Sequence, residues 1–515
     1  MNSETSSRTY TGWQLEKTTL VFGLSGQRCC ILGLAMLCAL WPLASSRISL
    51  AVTAWPLAAA TAALAYMRIK GRTADEWIVS AVSYQLLRMR SQTRFASGAF
   101  APAPKLAPEA APAMDLPGIL APIEILEADA GGGHAVAIAH HRRDRTYTAV
   151  ARIRYPGIGL VDSTRRDQRV AGWGRLMSSL CTEGNPIIRI QTLHRLVPES
   201  GAVLQRWHED HLAATAPPIS RQVTAELLST ATATARREAY LAFTMDERRA
   251  AAQIKEAGGG AVGAAAVLLR DLRALTGTIG AADLQVEGWL SPRDLAEVLR
   301  VAFDPDSRGV LDEARASAHA AYAAGIQTPA RPGVAPQLAG PAAAEAMPGH
   351  YVHDGAVSAT YWIHSWPDKE VYSTVLAPLL GDSDHRRSFS LHIEPLAPTA
   401  ARSAVMHDRT KREVAMQIRR RTGKIIPRDE QVAAARAAAQ DQERATGHGL
   451  VKFSGYCTVT ETDPDKLANA CAQLEKDAAN AEINIRRMWL AQDYGFALAA
   501  LPLGMGLPRR RWKTT

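Results

Sequence analysis

The sequence predicts an α+β protein: a two-helix transmembrane hairpin followed by two cytosolic α+β domains of the split-βαβ kind. Two apolar stretches near the N-terminus predict the hairpin. They run over Cys29–Ser45 (CCILGLAMLCALWPLAS) and Ile48–Met67 (ISLAVTAWPLAAATAALAYM), and each has roughly the length a helix needs to cross ~30 Å of hydrocarbon. Short alternating runs mixed with helical periodicities predict the α+β body. Two Ala/Pro-rich segments, 101–118 and 306–348, divide it. The resulting order is a cytosolic N-terminal segment (1–28), the hairpin (29–67), a juxtamembrane helix (68–100), a Pro/Ala linker (101–118), a first α+β domain (119–305), a linker (306–348) and a second α+β domain with a helical hairpin (349–515).

Charge orients the hairpin. Arg8, Lys17 and Arg28 precede the first stretch, and Arg68, Lys70 and Arg72 follow the second. Lys and Arg gather on the cytoplasmic side, so both termini are expected in the cytoplasm, with Arg28, Arg68, Lys70 and Arg72 flanking an inner membrane. The long polar start and the second apolar stretch argue against a cleaved signal peptide. Both stretches are Ala-rich and carry a proline (Pro42, Pro56), so a hairpin buried inside a protein core is the alternative.

Gly71–Phe95 reads as a helix capped by Thr73, with Asp75 and Glu76 in its first turn and Trp77, Ala81, Tyr84 and Leu87 at helical spacing. A position along the inner membrane surface and simple packing on the next domain are both open, and Trp77 is a candidate partner contact. In the first domain, Ile123–Leu126 and His134–Ala139 read as strands. After the polar turn His141–Arg145, Thr146–Arg154 places Tyr147, Ala149, Ala151 and Ile153 on one face. A helix starts at Asp162 or Ser163 and carries Val170, Trp173, Met177 and Leu180 on one stripe. Strands at Ile187–Leu193 and Glu238–Met245 flank a helix near Arg221–Thr232, and a long helix follows Gly258–Gly260. Ser291 caps a further helix with Pro292 at its first position and Leu295, Val298, Leu299 and Ala302 on its buried face.

The 306–348 linker is helical in part, near Val310–Ala324. Beyond it, Ala356–His364 and Ser388–Ile393 read as strands, and Ala400–Arg421 with Arg428–Thr446 as a polar helical hairpin broken at Gly423–Pro427. Lys452–Thr460, a helix from Pro464 and Asn484–Gln492 form a βαβ element, followed by a short apolar helix at Gly495–Leu501. No short-period repeat is present, and a relation between the two α+β units is left open.

The bulk numbers exclude several classes. A net charge of +9 over 515 residues is modest, and nucleic-acid binding would call for a denser basic face. The six cysteines include no CxxC, which excludes a disulfide framework or a standard zinc site. The run Gly258–Gly263 lacks the Lys-Ser/Thr of a phosphate loop, and Thr422-Gly423-Lys424 lacks the upstream glycine, so the chain is expected to hold no nucleotide. His140–His141 reads as a surface turn. His350-Tyr-Val-His353-Asp354 resembles a metal set but has no HExxH pattern or downstream ligand. Arg419, Arg420 and Arg421 end a helix as a solvated cluster or a partner contact. No nucleophile motif or carboxylate pair appears, so no catalytic, cofactor or metal residue is assigned.

One resemblance covers nearly the whole chain. Arg8-Thr-Tyr-Thr-Gly12-Trp13, the two apolar stretches, Gly71-Arg72-Thr73 and Glu76-Trp77 resemble the PrgI family of small membrane proteins of conjugation loci. With LSPRDLAEVLRVAFDP (Leu290–Pro305), HYVHDGAVSATYW (His350–Trp362), VYSTVLAPLL (Val371–Leu380) and FALAALPLG (Phe496–Gly504), the chain resembles an actinobacterial PrgI-like family encoded beside a conjugation ATPase. The resemblance implies an inner-membrane subunit of type IV secretion whose cytosolic region is similar to the non-catalytic N-terminal half of the assembly ATPase. The expected function is a non-enzymatic scaffold of a conjugative DNA-transfer apparatus. The expected partners are the conjugation ATPase in trans, other secretion-channel subunits, membrane lipid and a second copy of the chain, with direct nucleic-acid contact disfavoured. The alternatives are a type VII-like secretion subunit, a membrane-tethered enzyme and a DNA-binding protein.

Overall fold

A computed structural model describes residues 26–45, 51–66, 68–69, 72–98, 114–131, 134–155, 161–197, 207–208, 211–213, 215–230, 236–325, 332–367, 371–372, 374–421 and 449–506. The N-terminal part contains α1 (Gly26–Ala44), α2 (Ala51–Tyr66), the two-residue strands β1 (Arg68–Ile69) and β2 (Arg72–Thr73), α3 (Ala74–Met89) and β3 (Arg94–Ala96). Among the described residues no helix is long and apolar enough to cross a membrane. That finding overturns the transmembrane hairpin, and with it the multi-pass inner-membrane placement and the orientation built on it. The physical reason is length. α2 has 16 residues, and α1 opens on Gly26, Gln27 and Arg28 before its apolar part begins. Sixteen helical residues rise only about 24 Å, short of ~30 Å of hydrocarbon. The two helices lie on each other, with Ala35 and Ala58 buried and Trp55 Nε1 donating to Ala39 O at 3.3 Å.

The first half of the body runs β4 (Ile123–Asp129), β5 (Ala135–His141), β6 (Thr146–Arg154), α4 (Ser163–Leu180), β7 (Ile187–Val197), α5 (Pro218–Thr230), β8 (Arg236–Asp246), α6 (Ala251–Glu256), α7 (Gly260–Ala281), β9 (Gln285–Trp289) and α8 (Pro292–Phe303). Helix α9 (Ser307–Ala323) leads to the second half. This runs β10 (Ala343–Ala346), β11 (Tyr351–His353), β12 (Ala356–Ser365), α10 (Ala377–Leu380), β13 (Arg386–Pro395), α11 (Pro398–Arg421), β14 (Val451–Glu461), α12 (Leu467–Asn480), β15 (Asn484–Arg487) and α13 (Gln492–Ala500).

The expected pair of separate split-βαβ domains is replaced by one 13-stranded antiparallel sheet in the order β3-β10-β11-β12-β14-β13-β7-β8-β6-β5-β4, with β9 on β6 and β15 on β12. The join is the β7–β13 ladder, which places Gln191 opposite His392 and Leu193 opposite Ser390. Each half alone would end on β7 or β13. Both strands are buried along nearly their whole length, so neither suits a solvent-facing edge, and pairing them removes that edge. The segment 306–348 holds α9, the helix expected near Val310–Ala324, and also the unexpected strand β10.

The two halves repeat each other. Each has a three-strand meander, a helix, a strand, a helix, a strand paired with the third, one helix (two, α6 and α7, in the first half), a short strand back on the third, and a helix across the sheet. Register carries the match to single residues: Leu290 N–H donates to Val150 O in the first half, as Met488 N–H donates to Thr360 O in the second. A pseudo-two-fold axis through the β7–β13 ladder relates them.

Three cores result. α8 and α13 cover one face and share a core with both halves, including Leu193, Tyr240, Leu295, Leu299, Phe303, Phe496 and Leu501. On the other face α4 and α7 cover the first half, and α10 and α12 the second. The predicted stripe of β6, Tyr147, Ala149, Ala151 and Ile153, lies in the α4–α7 core. Ser291 caps α8 in a capping box with Asp294, and Leu295, Val298 and Leu299 are buried while Ala302 is half-buried. Ser291→Ala is expected to lower unfolding free energy by about 1 kcal/mol, read as a lower urea midpoint at unchanged slope.

Candidate functional site

The chemistry-bearing residues converge where α8 and α13 cross the β7–β13 join. β7 turns Arg189, Gln191 and Arg195 to this face, and β13 turns Ser390, His392 and Glu394. Arg195 Nη1 donates to Val298 O of α8 at 3.0 Å, and its Nη2 donates to Ala500 O of α13. Gln191 Nε2 donates to Ser390 Oγ (2.9 Å) and Leu501 O (2.8 Å), while its Oε1 accepts from Gly504 N–H at 2.7 Å. Arg189 donates to Gly504 O at 2.8 Å and pairs with Glu394 at 2.6 Å. Gly504 holds φ +59, and a Cβ there would stand 1.9 Å from Thr244 Oγ1, so only glycine fits.

The pseudo-symmetry extends to this polar layer. Arg195 stands over the ring of Tyr240 at 5.5 Å, and His392 stands edge-on to Tyr456 at 5.5 Å. His392 Nε2 pairs with Leu498 O at 2.9 Å, as Arg195 pairs with Val298 O. The hydroxyl pair Thr148–Thr244 (3.0 Å) has its counterpart in Ser358–Thr460 (2.8 Å). Each helix then reaches into the opposite half. Phe303 O, at the end of α8, meets His353 Nδ1 of the second half at 2.5 Å, and Gly504 O, beyond α13, accepts from Thr244 of the first at 3.2 Å.

Electrostatics follow burial. His353 and His392 are pushed down to about 4 because the buried environment disfavours the charged ring. Burial likewise lowers Arg195, opposed by Tyr240 and Glu238. Burial pushes the Glu238 carboxyl up, but Arg308 at 2.8 Å, with Arg195 and Arg236, outweighs it and holds the group below the usual carboxylate range. These groups bond to main chain or to one another, the arrangement of a clamp between two halves.

Several residues singled out in the sequence have other roles. Trp77 packs on Trp489, ring centroids 6.3 Å apart, and Tyr84 donates to Ala346 O at 3.1 Å, so α3 docks on the second half of its own chain. Arg28 lies in the first turn of α1, Arg68 in β1 and Arg72 in β2, while Lys70 lies outside the described residues. Arg419, Arg420 and Arg421 end α11, far along the chain from the other flagged residues, and Arg421 is exposed. The second arm of the predicted helical hairpin, Arg428–Thr446, also lies outside the described residues, as do Thr422-Gly423-Lys424 and the Arg8–Trp13 motif.

The His350–Asp354 group divides its duties. His353 bonds Phe303 O and Ser358 Oγ, whereas Asp354 accepts from Ala342 N–H and pairs with Arg300 at 3.0 Å. Among the described residues no group of three His, Cys, Asp or Glu could hold a metal ion. Gly258, Gly259 and Gly260 adopt positive φ and turn the chain between α6 and α7. Sequence reasoning missed Arg189, Gln191, Arg195, Ser390 and His392. Their signal was a polar residue at alternate positions within otherwise apolar strands, Arg189/Gln191 with Arg195 and Ser388/Ser390/His392/Glu394.

The chain was compared with protein-family models and with curated proteins, and nothing matches.

Arg195→Met should destabilise the fold by about 2–5 kcal/mol, because it leaves Val298 O and Ala500 O without their buried donor and removes a positive charge near Glu238; denaturant unfolding measures this. The two histidines set a pH dependence. Their folded values lie below the ordinary value of 6.5, so the folded chain binds fewer protons between about 4 and 6.5. The stability they contribute is complete above that window and is lost as pH falls through it, at up to about 1.4 kcal/mol per pH unit for each ring. His392→Gln is expected to give a shallower acid-side decline in the urea midpoint than the parent chain.

Proposed function

We propose that this chain is a non-enzymatic scaffold subunit of a conjugative, type IV secretion-like DNA-transfer apparatus that docks a separate ATPase. The mechanism is placement: a rigid platform presents a docking surface, and bond chemistry belongs to the partner. The motif resemblance supplies the apparatus and the partner.

The observation that carries docking is the apolar stripe of α5. Ile219, Val223 and Leu227 recur at i, i+4 and i+8 and stand 68%, 48% and 63% exposed. A helix that buries its apolar stripe within its own domain would hide these residues. An exposed stripe of this kind suits a helix-in-groove or helix-on-helix contact with another protein. The sheet suits the role as well, because its central polar groups are engaged in holding two halves together.

The test is co-purification of the tagged full chain with the conjugation ATPase encoded beside it. Stoichiometric recovery of the ATPase is expected, and Ile219→Asp combined with Leu227→Asp should reduce it about tenfold or more, the loss typical of removing a hot spot. ATPase that stays in the flow-through with the parent chain, under chemical crosslinking, sinks the reading.

A further inference from the structure

The repeat gives the molecule two equivalent sheet edges, and among the described residues one strand, β3, covers one of them. β10 ends the second half and β4 the first. Their equivalence follows from register. Thr148 and Ser358 are counterparts, lying opposite Ala139 and Tyr351, and these lie opposite Ile125 and Ala346. The residues before them, Glu124 and Glu345, therefore occupy the same place.

β3 covers the β10 edge. It pairs antiparallel, with Ala346 N–H donating to Thr93 O at 2.8 Å and Arg94 meeting Glu345 at 2.8 Å. Among the described residues no strand pairs with the outer side of β4. Ala137 N–H donates to Leu290 O, away from β4, so the Glu127–Ala137 pair is not hydrogen-bonded. Glu127, and by alternation Ile123, Ile125 and Asp129, thus aim N–H and C=O outward. Ile125 presents its N–H where Ala346, its counterpart, uses it to hold β3.

We propose that the outer edge of β4 receives an extended strand from a different protein chain, antiparallel, with an arginine or lysine placed at Glu124 as Arg94 is at Glu345. This is β-strand addition, in which main-chain bonds provide attachment and one charge pair fixes register. β3 of the same chain is already engaged. Edge-to-edge pairing of two β4 strands would bring Glu124, Glu127 and Asp129 of each copy together, and like charges oppose it. The acidic edge therefore fits a basic segment from elsewhere. The proposal is independent of the α5 docking surface.

The probe is a fluorescent peptide with the sequence of Ser91–Gly98 (SQTRFASG), titrated into the full chain and followed by anisotropy. Saturable binding at or below about 1 mM is expected. Glu124→Arg should weaken it roughly fivefold or more, and a peptide carrying Glu in place of its Arg should recover that loss on the Glu124→Arg chain. The reversed pair separates a lost contact from a misfolded variant. A photo-crosslinker at the peptide's Phe should label 123–129. No binding, labelling confined to 343–346, absence of recovery by the reversed pair, or peptide competition with a concentration-dependent dimer of the chain would each overturn the proposal.

Discussion

The guanidinium of Arg195 is the interaction on which the rest of the fold depends. It is buried at the centre of the sheet and donates to one carbonyl from each of the two crossing helices, Val298 O and Ala500 O. A buried cation is costly unless it is compensated, and here two helix backbones, the Tyr240 ring and the nearby Glu238 carboxylate compensate it, although its Nε has no hydrogen-bond partner among the described residues. The bonds need both helices in place at once. The geometry therefore couples the two halves far more tightly than apolar contact alone, which would tolerate sliding.

Pseudo-symmetry explains the features around that centre. A single architectural unit occurs twice, and each copy uses its last helix to reach the other copy. At equivalent positions chemistry has diverged while geometry has not: Arg195 answers His392, and Thr148–Thr244 answers Ser358–Thr460. The main chain of the crossing segments needs donors and acceptors at fixed places, and several side chains satisfy the same place. Where the symmetry breaks, it breaks at the edges, because among the described residues β3 covers the β10 edge and no strand covers its equivalent, β4.

The N-terminal part illustrates the limit of reading hydropathy alone. Cys29–Ser45 and Ile48–Met67 have the composition of spans, yet the helices that form are 19 and 16 residues long, and the first begins on polar residues. Trp77 looked like a contact awaiting a partner and instead meets Trp489, more than four hundred residues along the chain. Nothing local to either tryptophan announces the other.

Elements whose signals are short-range are legible in the residues alone. The alternation of Tyr147, Ala149, Ala151 and Ile153 placed β6, and Ser291-Pro292 with Asp294 started α8, because period and capping act within a few residues. Tertiary pairing alone made the two α+β regions share one sheet, added a strand within 306–348, and brought Gln191, Arg195 and His392 into one layer. Those outcomes rest on pairings such as Leu193 with Ser390, across almost two hundred residues of chain. A strand's own sequence states which faces it buries. It does not name the strand that will cover its edge, because the energy of that choice resides in both partners together.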